Sequence, residues 1–508
     1  MAIPLRSREA WGVNRPTPTL IALHGHGESE PATIAWAERV APGGWRLVTV
    51  DAPGARQDPR SWFDTGPRGV QGEDLQRSIE AIRNAVGEVS GAGPVVLAGF
   101  SQGAAMALAC GGIPGVVAVV GICPFLPEVE QLELGSGPPA LVVPSEGDEV
   151  TPAFLGEDLA AAMRAAGREV ELHVTSGVHE VSRDSAVLAK HWLDRRWPAR
   201  PRISLGLPVD RVSSGPELVS ASAVVELSAA YEELGFDAAY VTDHPAPDDR
   251  WLAAGGHQAL EPTVALATAG SATSRLLLHT HVYILGYRSP FLAAKAISSL
   301  DLLTDGRVIL GVAAGYLRPE FAALGSSFED RAERLDEALE LLPRIWSGQS
   351  VEATGAGFEV RSATVLPRPV QRPHPPIWVG GNSERAMRRA VRLGQGWSPF
   401  PTPGGLESAT RTAAIPDLDS LLARLGRLGQ ICEQEGRDEQ PTVCFTPFSS
   451  NDYLADPEGS LDEMRRECEQ LWEAGVDWLA LSVPGNDRAE VLANAESLAE
   501  AFEPSRPS

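Results

Sequence analysis

Ser101 lies in the segment Gly99-Phe100-Ser101-Gln102-Gly103, where small residues flank a potential nucleophile. The apolar residues 95–98 before it predict a strand, and residues 104–110 after it predict a helix. In such a strand-turn-helix, the flanking glycines allow a sharp turn that pushes the serine hydroxyl out at the helix N-terminus. A serine hydroxyl is a weak nucleophile on its own, so a base and an orienting acid must follow downstream.

Asp148 and His179 are the downstream residues that complete this chemistry. Each follows an apolar run that predicts a buried strand, residues 140–144 before Asp148 and residues 170–174 before His179. A histidine can take the proton of the serine, and a carboxylate can hold the imidazole in the required tautomer. The sequence therefore predicts a catalytic triad of Ser101, Asp148 and His179. Weaker alternatives, which lie inside a strand pattern or would shift a loop, are His173 for the base and Glu146 or Asp184 for the acid.

His244 is the ionisable residue of a second group of polar residues, in the other half of the chain. It follows an apolar run in the sequence Asp243-His244-Pro245. An imidazole has an ordinary pKa near neutrality and can therefore deliver or accept a proton in a reaction. The alternative is a histidine that only caps a helix or holds a structural hydrogen bond.

The segment Gly380-Gly381-Asn382-Ser383 also follows an apolar run and precedes a predicted helix at residues 384–392. Glycines at the start of a helix allow backbone amides to point at an anion, so this segment predicts a phosphate-binding nest. The alternative is a tight turn between a strand and a helix. Glu320 either lines the pocket near His244 or only lies in residues 315–320 at the beginning of a helix.

Alternating strands and helices must position these residues in both halves. In the first half the predicted strands include residues 19–23 and 45–50 besides the three already named. The second half contains eight apolar strands, at residues 203–207, 238–242, 276–284, 308–312, 377–379, 396–399, 442–445 and 478–482. Eight strands over about 300 residues predict a (β/α)8 barrel, in which working residues follow the strand ends. Residues 400–417 are rich in Pro, Gly and Thr and predict an active-site lid or a disordered loop.

The first half resembles the small carboxylesterase/phospholipase family, which also contains acyl-protein thioesterases. The matching segments are Leu23-His24-Gly25-His26-Gly27, Ser61-Trp62-Phe63-Asp64, Gly99-Phe100-Ser101-Gln102-Gly103-Ala104-Ala105, Gly147-Asp148-Glu149-Val150 and Gly177-Val178-His179. The resemblance implies an α/β-hydrolase fold with a doubly wound, mostly parallel sheet. It also implies that the backbone N–H groups of His26 and Gln102 form the oxyanion hole.

The second half resembles the luciferase-like monooxygenase superfamily, in the branch that uses the deazaflavin coenzyme F-420. The matching segments are Leu234-Gly235-Phe236-Asp237, Val241-Thr242-Asp243-His244-Pro245, Tyr287-Arg288-Ser289-Pro290, residues 300–307, residues 311–316 and Pro375-Pro376-Ile377-Trp378-Val379-Gly380-Gly381. The resemblance implies an α/β fold of the TIM-barrel type with a strained bulge in the third strand, often a non-proline cis peptide, near Tyr283-Ile284. The cofactor-binding residues that it implies are Asp243, His244, Tyr283, Ile284, Gly315, Gly380, Gly381, Asn382 and Ser383.

The boundary between the two halves is marked by residues 194–202, which contain four Arg and two Pro. Such a composition favours an extended connector. With 508 residues the chain is too long for one ordinary core. We therefore predict a hydrolase domain at residues 1–197, a linker at 198–202 and an oxidoreductase domain at 203–508. The alternative is a surface loop within one large domain.

The overall composition excludes several other classes of function. A net charge of -24 argues against nucleic acid or an anionic membrane as partner, and no apolar run approaches the roughly 18 residues of a membrane span. The start of the chain lacks the apolar core of a secretory signal. The five scattered cysteines contain no CxxC pair and indicate buried thiols of a cytoplasmic protein, with neither a disulfide framework nor a zinc site.

Together these observations predict a bifunctional enzyme with small-molecule substrates. One domain would hydrolyse an ester or thioester, and the other would transfer a hydride with coenzyme F-420. Two alternatives stay open: a monooxygenase that uses FMN in the barrel, and a protein in which one domain only binds. Association of barrels into a homo-oligomer is also left open by the sequence.

Overall fold

The polypeptide folds into two compact units, which divide between Arg200 and Pro201. The computed structural model describes residues 18–42, 45–54, 59–66, 69–70, 72–125, 137–197, 200–402, 412–437 and 440–502. Residues 198 and 199 of the predicted linker lie outside this range. The last residue of that linker, Arg202, already begins a strand. Across these residues, no helix combines the length and the apolar character that crossing a membrane requires.

The first unit is built on a parallel sheet of six strands within the described residues, in the order β2-β1-β5-β6-β7-β8. These strands are β1 (Thr19–Leu23), β2 (Arg46–Val50), β5 (Val95–Phe100), β6 (Val116–Ile122), β7 (Ala140–Val143) and β8 (Val170–Leu172). The central strands are apolar throughout because helices cover both faces of the sheet. Strand β6 was not among the predicted strands. The short antiparallel pair β3 (Thr65–Gly66) and β4 (Gly69–Val70) lies apart from the sheet.

Helices pack on the two faces of this sheet and form two separate cores. They are α1 (Glu30–Val40), α2 (Gly72–Val89), α3 (Gln102–Ala109), α4 (Ala153–Ala165) and α5 (Arg183–Arg196), with a 3-10 turn at Ser90–Ala92. Strand β1 shows how the cores divide: Ile21 and Leu23 belong to one, while Leu20 and Ala22 belong to the other. This follows from the two-residue period of a strand. The predicted doubly wound α/β fold is confirmed.

The second unit is a closed barrel of parallel strands, whose order around the barrel follows the chain. The strands are β9 (Arg202–Gly206), β10 (Ala238–Val241), β11 (Leu277–Ile284), β12 (Val308–Ala313), β15 (Ile377–Gly380), β16 (Gly396–Ser398), β17 (Thr442–Phe445) and β18 (Trp478–Leu481). Each of the eight predicted strands coincides with one of these to within a residue at either end. The (β/α)8 architecture is therefore confirmed.

Helices surround the barrel and bury its outer face in one large core. They are α6 (Ala221–Glu233), α7 (Asp249–Ala253), α8 (Pro262–Ser271), α9 (Pro290–Leu303), α10 (Arg318–Ala323), α11 (Arg331–Trp346), α12 (Glu384–Leu393), α13 (Leu418–Gln434), α14 (Ser450–Ala455), α15 (Pro457–Ala474) and α16 (Arg488–Phe502). Two 3-10 turns, at Val212–Glu217 and Leu285–Tyr287, and an antiparallel hairpin of β13 (Val351–Gly355) and β14 (Phe358–Ala363) complete the unit.

Candidate active sites

Ser101 occupies a sharp turn between the central strand β5 and helix α3. Its backbone has a φ of 55° and a ψ of -118°, a conformation that L-residues rarely adopt. The turn requires glycine on both sides of it. A Cβ on Gly99 would lie 2.1 Å from the Gly103 carbonyl oxygen, and one on Gly103 would lie 2.0 Å from that of Leu23. The pattern of small residues is therefore a steric requirement of the close packing of α3 on β1 and β5.

Ser101, His179 and Asp148 form a continuous chain of hydrogen bonds. The Oγ atom of Ser101 lies 3.0 Å from Nε2 of His179, and Nδ1 of His179 lies 2.8 Å from Oδ2 of Asp148. Two loops hold this arrangement, since the amides of Glu146 and Gly147 donate to the carbonyls of Thr175 and Gly177 at 2.9 Å. The loop that carries the acid is thus paired with the loop that carries the base.

Asp148 is held as a carboxylate by several donors. Its Oδ1 accepts the amides of Val150 and Thr151 at 2.9 and 2.7 Å, and its Oδ2 accepts the Thr151 hydroxyl at 2.7 Å. Burial alone would raise the pKa of Asp148, but the hydrogen bonds from His179 and Thr151 outweigh it and lower that pKa below its ordinary value. The carboxylate can therefore orient His179 and stabilise an imidazolium without taking its proton.

The alternative triad members are exposed, and none of them is hydrogen-bonded to Ser101 or His179 in the described part of the chain. His173 is half exposed, and its Nε2 lies 3.6 Å from Oε2 of Glu171. Glu146 is exposed, and Asp184 lies in the exposed first turn of α5. Among the described residues, Ser101 therefore has its hydrogen-bonded base in His179 alone.

Thr151 and Cys123 adjoin the triad and were missed by sequence reasoning. The spacing of Asp148 and Thr151 is typical of an aspartate that accepts the amide three residues on, and this was the available signal.

Cys123 is fully buried behind the triad, and burial together with Asp148 raises the pKa of its thiol to about 12. Ligand atoms of Cys123, Asp148 and His179 lie within 4.8 Å of one another. A protonated buried thiol is a poor metal ligand.

The side chain of Gln102 ties the serine turn to the loop at residues 61–63. Its Oε1 accepts the Ser61 hydroxyl at 3.0 Å and the Trp62 amide at 3.2 Å, and its Nε2 donates to the Phe63 carbonyl at 3.1 Å. The backbone N–H of Gln102 occupies the first helical position, where no intrahelical acceptor exists. The hydrogen bonds of the Gln102 side chain hold this N–H group and the serine turn in place. The role of the N–H group in an oxyanion hole stays a prediction.

The loop with His26 is fastened by Glu28. The Oε2 atom of Glu28 accepts the Gly25 amide at 2.8 Å, and Gly27 has a φ of 68° and donates its amide to the Arg60 carbonyl at 3.0 Å. His26 itself is exposed at the tip of this loop. The sequence placed His26 in the oxyanion hole, and that assignment also stays a prediction.

At the barrel mouth, His244 is surrounded by aromatic rings and one carboxylate. Its ring centroid lies 4.5 Å from that of Trp251, 4.9 Å from that of His257 and 6.1 Å from that of Tyr316. Its Nδ1 lies 3.7 Å from Oε2 of Glu320, a residue that is only 3% exposed. Glu320 lies in the first turn of helix α10 and also faces this cluster. It therefore both begins a helix and contacts the residues around His244.

Asp243 joins the rim to the end of strand β11. Its carboxylate accepts the Ile284 amide at 2.8 Å and binds both Nη atoms of Arg288. Burial lowers the pKa of Arg288, but the charge of Asp243 outweighs it and raises that pKa above its ordinary value. The guanidinium also lies 3.8 Å from the ring centroid of Tyr283. The carboxylate of Asp243 is therefore hydrogen-bonded within the protein, and its assignment as a cofactor-binding residue stays a prediction.

The bulge in β11 lies two residues earlier than predicted. The pairing of β11 with β12 shifts between Thr280 and Tyr283, and the His281-Val282 peptide bond is cis. Tyr283 packs in the outer core between barrel and helices, and Ile284 packs with Phe321 and Phe328. The side chain of Tyr283 therefore points away from the bore, because the bulge changes the alternation of the strand, while Ile284 lies beside Gly315 at the barrel mouth.

The predicted phosphate nest is partly occupied by hydrogen bonds within the protein. The Gly381 amide donates to the Ser398 carbonyl at 3.2 Å, and the Asn382 amide donates to Oγ1 of Thr412 at 3.0 Å. The Asn382 side chain bonds the backbone of Phe400 and Ala413, and the Ser383 hydroxyl caps helix α12. Gly381 and Asn382 thus hold the segment after β16, of which residues 403–411 lie outside the described residues. An anion bound at the start of helix α12 would therefore need backbone amides after Asn382 as its hydrogen-bond donors.

Both units match protein families over most of their length. The phospholipase/carboxylesterase family model matches residues 11–195, and the luciferase-like monooxygenase family model matches residues 203–431. An F-420-dependent glucose-6-phosphate dehydrogenase from Amycolatopsis mediterranei is 32% identical over 296 residues, which are 53% of this chain and 83% of that protein. The chain belongs to the luciferase-like monooxygenase family. Its first unit is similar to the phospholipases and carboxylesterases.

Other relatives of the luciferase-like unit are matched over a smaller share of their length. The dehydrogenase of the same name from Microbacterium testaceum is 30% identical over 238 residues, which are 46% of this chain and 65% of that protein. The chain spans less than two thirds of this relative and of two similar dehydrogenases. A solved F-420-dependent secondary alcohol dehydrogenase with an F-420-acetone adduct has 17% identity and a TM-score of 0.45, over 60% of this chain and 99% of its own.

The bore of the luciferase-like barrel contains two histidines that sequence reasoning did not select. Nδ1 of His279 lies 3.1 Å from Oγ of Ser204, and the His279 ring centroid lies 4.9 Å from that of Trp378. His281 is the next residue on the same side of β11, with its ring centroid 5.1 Å from those of Tyr240 and His279. The available signal was the pair of histidines two residues apart in an otherwise largely apolar strand, since residues two apart share one side of a strand.

Lowering the pH is expected to destabilise the luciferase-like barrel through His279. Burial lowers the pKa of His279 well below its ordinary value of 6.5, and His281 lowers it further. The imidazole is then neutral in the folded state and protonated in the unfolded state below pH 6.5, so the unfolded state binds more protons. The free energy of unfolding of the barrel should fall as the pH drops from 7 to 5.

Urea unfolding of the wild-type protein and the His279→Gln variant measures this effect. The transition of the carboxylesterase-like unit can be recognised by loss of labelling with a fluorophosphonate, and the remaining transition belongs to the barrel. The slope of barrel stability against pH should be smaller in the variant. Equal slopes in the two proteins would contradict the assignment.

Gly103→Ala is expected to destabilise the carboxylesterase-like unit. The added methyl group would lie 2.0 Å from the Leu23 carbonyl oxygen and 2.5 Å from that of His24, both backbone atoms that cannot turn aside. Overpacking of this kind costs about 1–3 kcal/mol and sometimes more. The matched control is Gly112→Ala, because a Cβ at Gly112 meets nothing within 4 Å. Urea unfolding should show a lower midpoint for Gly103→Ala alone, and equal midpoints would contradict the packing of α3 described above.

Proposed function

We propose that the chain is a bifunctional enzyme, with a serine hydrolase for esters or thioesters in the first unit and an F-420-dependent oxidoreductase in the barrel. The hydrogen-bonded chain of Ser101, His179 and Asp148 carries the first assignment. The cluster around His244, at the mouth of a luciferase-like barrel with F-420-dependent relatives, supports the second.

In the hydrolase, His179 takes the proton of Ser101 as the hydroxyl attacks the carbonyl carbon of the substrate. Asp148 holds the imidazole with Nδ1 protonated, so Nε2 is the basic nitrogen that faces Ser101. The backbone N–H groups of His26 and Gln102 would stabilise the negative charge on the carbonyl oxygen. His179 then protonates the leaving group, and a water that His179 deprotonates releases the acid from Ser101.

The mouth of the barrel has features that fit a flat coenzyme. Glycine occurs where side chains would obstruct it: a Cβ on Gly380 would lie 3.3 Å from Cγ1 of Val282, and one on Gly315, where φ is 88°, would lie 2.8 Å from Cγ2 of Ile284. Buried polar atoms of Thr242 and His281 have no hydrogen-bond partner in the described part of the chain. A ligand with polar edges would supply such partners.

The residues around the mouth would bind, orient and exchange a proton. Coenzyme F-420, when bound, supplies the hydride chemistry. His244 would deliver or accept the accompanying proton, with Trp251 and Tyr316 excluding water from its ring. Gly315 and Gly380 would leave room for the coenzyme, and the amides at the start of helix α12 would face its phosphate. Glucose 6-phosphate is the first donor to test, because several relatives are named for its oxidation.

Equilibrium binding of the full-length protein to F-420 and to FMN tests the assignment of the barrel. We expect F-420 to bind and FMN to bind more weakly. Gly380→Val should weaken F-420 binding at least about tenfold, or about 1.4 kcal/mol, because its side chain would enter the mouth beside Val282. Gly426→Val is the matched control, since a Cβ at Gly426 in helix α13 meets nothing within 4 Å.

Two other outcomes separate the alternatives. Tight binding of FMN with oxygen-dependent turnover would assign the barrel to the flavin monooxygenases. A barrel that binds neither coenzyme, in a protein whose Ser101 still reacts with a fluorophosphonate, would leave a hydrolase joined to a binding domain.

A further inference from the structure

We propose that the hydrolase binds the alcohol or thiol part of its substrate on an apolar patch beside Asp148 and His179, and so prefers esters with an apolar leaving group. The apolar patch consists of Val150, Phe154 and Val178. This inference rests on the proposed function of the first unit and names the substrate class for that site.

The exposed apolar side chains of the first unit are concentrated next to the triad. Of the large apolar side chains that the structure describes in this unit, four are exposed: Val150, Phe154, Val174 and Val178. All four lie in the segments that carry the acid and the base of the triad. Single apolar residues scattered over a surface are ordinary, whereas their concentration in one place marks a binding surface.

Two neighbouring strands bring the valines of the patch to the edge of the sheet where Ser101 lies. Strands β5 to β8 are parallel and adjacent, so the loops that follow them meet at their carboxyl ends. Val150 follows Asp148 by two residues in the loop after β7, and Val178 directly precedes His179 in the loop after β8. The backbone amide of Val150 donates to Oδ1 of Asp148 at 2.9 Å, which fixes this part of the patch relative to the triad.

Phe154 extends the patch onto the start of helix α4. It is the second residue of this helix and is 57% exposed, so packing within the unit does not account for a phenylalanine here. The helix begins at the same edge of the sheet, because a Cβ on Gly156 would lie 3.0 Å from Cβ of Pro144 and 3.5 Å from Cγ of Pro124. These prolines lie just after β7 and β6. Phe154 is therefore at the carboxyl ends of the strands, as the two valines are.

The chemistry of the triad places the leaving group on the side of this patch. As the bond from Ser101 to the carbonyl carbon forms, the bond from that carbon to the leaving oxygen or sulfur breaks, and the proton that His179 took from Ser101 passes to the leaving atom. The leaving atom must therefore come within hydrogen-bond reach of Nε2 of His179. Its substituent then extends beside the imidazole, where Val178 and Val150 lie, while the oxyanion hole holds the carbonyl oxygen.

Exposed carboxylates next to the patch restrict the charge of its ligand. Glu149 precedes Val150 and Glu180 follows His179, and both glutamates are exposed. Carboxylates repel an anionic group such as a phosphate, and the three apolar side chains of the patch offer no charge to attract one. An uncharged alkyl or aryl group is the leaving-group substituent that fits these surroundings.

The isomeric esters hexyl acetate and ethyl hexanoate test this inference with the full-length protein. They contain the same atoms, but the longer chain is on the alcohol side in the first ester and on the acid side in the second. We expect kcat/KM to be at least about tenfold higher for hexyl acetate, because only its hexyl group reaches the patch. The rates are measured below and above the solubility limit of each ester.

Phe154→Ser and Val178→Ser show whether the patch causes this preference. Each variant should lower the ratio of the two kcat/KM values, hexyl acetate to ethyl hexanoate, at least about threefold. Val264→Ser is the matched control and should keep the wild-type ratio, because Val264 is a valine of the barrel unit that is 64% exposed, close to the 59% of Val178. Labelling of Ser101 with a fluorophosphonate verifies that the site of each variant is folded.

The outcomes separate the inference from the function on which it rests. If a fluorophosphonate does not label Ser101 and neither ester is hydrolysed, the proposed hydrolase fails. A labelled protein that hydrolyses neither ester, or hydrolyses ethyl hexanoate at least as well as hexyl acetate, overturns the inference, and a preference for ethyl hexanoate assigns the patch to the acyl chain. A preference for hexyl acetate that survives in both variants, or that occurs only above the solubility limit, also overturns it, the latter because the patch would then bind the surface of a substrate aggregate.

Discussion

Replacing Ser101 with alanine is expected to lower kcat for the hydrolysis of p-nitrophenyl esters by about 10⁴- to 10⁶-fold. The reason is the geometry of the turn: among the described residues, the Ser101 hydroxyl is the one that His179 Nε2 reaches, at 3.0 Å. Without it, neither acyl-enzyme formation nor labelling by a fluorophosphonate is possible. F-420 binding by the barrel should stay unchanged, because the barrel is a separate compact unit.

Ser90→Ala is the matched control for this prediction. Ser90 is a half-buried serine that precedes strand β5, whereas Ser101 follows the same strand at its other end. The control should keep the wild-type kcat and fluorophosphonate labelling. Ester hydrolysis that survives in Ser101→Ala at more than about a hundredth of the wild-type rate would show that another group is the nucleophile.

Replacing His244 with glutamine is expected to lower the rate of F-420 reduction by about 10²- to 10⁴-fold, the range found for loss of a general acid or base. Glutamine keeps hydrogen-bonding capacity and similar size but cannot exchange a proton near neutral pH. The cluster of Trp251, His257 and Tyr316 should remain in place around it. The Kd for F-420 should therefore change far less than the rate.

Stopped-flow measurement with the hydride donor that the wild-type protein accepts separates the two quantities. His374→Gln, at the opposite end of the barrel, should behave like the wild-type protein. If His244→Gln loses binding and rate in equal proportion, His244 holds the coenzyme rather than moving a proton.

The sequence was most informative where one local rule decided the structure. Each barrel strand is a short apolar run before polar residues, so all eight could be placed within a residue at either end. The triad order and the glycines at 99 and 103 likewise follow from steric and chemical needs of a few neighbouring residues. The apolar run Val116–Ile122 was missed because the residue that follows it, Cys123, belongs to no catalytic motif that the sequence displays.

The details of the barrel mouth could not be predicted, because they depend on distant partners. The register shift after Thr280 turns Tyr283 outward, and alternation in the sequence does not reveal where a bulge begins. Thr412 lies 30 residues from the Asn382 amide that it accepts. The phosphate nest at residues 380–383 was predicted from local residues alone, whereas the distant Thr412 hydroxyl accepts one of the amides that the nest would offer to an anion.

The ion pair of Asp243 and Arg288 links the two histidines at the barrel mouth. Asp243 precedes His244 in the chain, and its carboxylate accepts the amide of Ile284, three residues after His281. A substitution that displaces one histidine would therefore disturb the hydrogen bonds of Asp243 that also hold the backbone next to the other histidine. The effects of His244 and His281 variants on the free energy of ligand binding should be non-additive, so attempts to alter this site one residue at a time would misjudge their combined outcome.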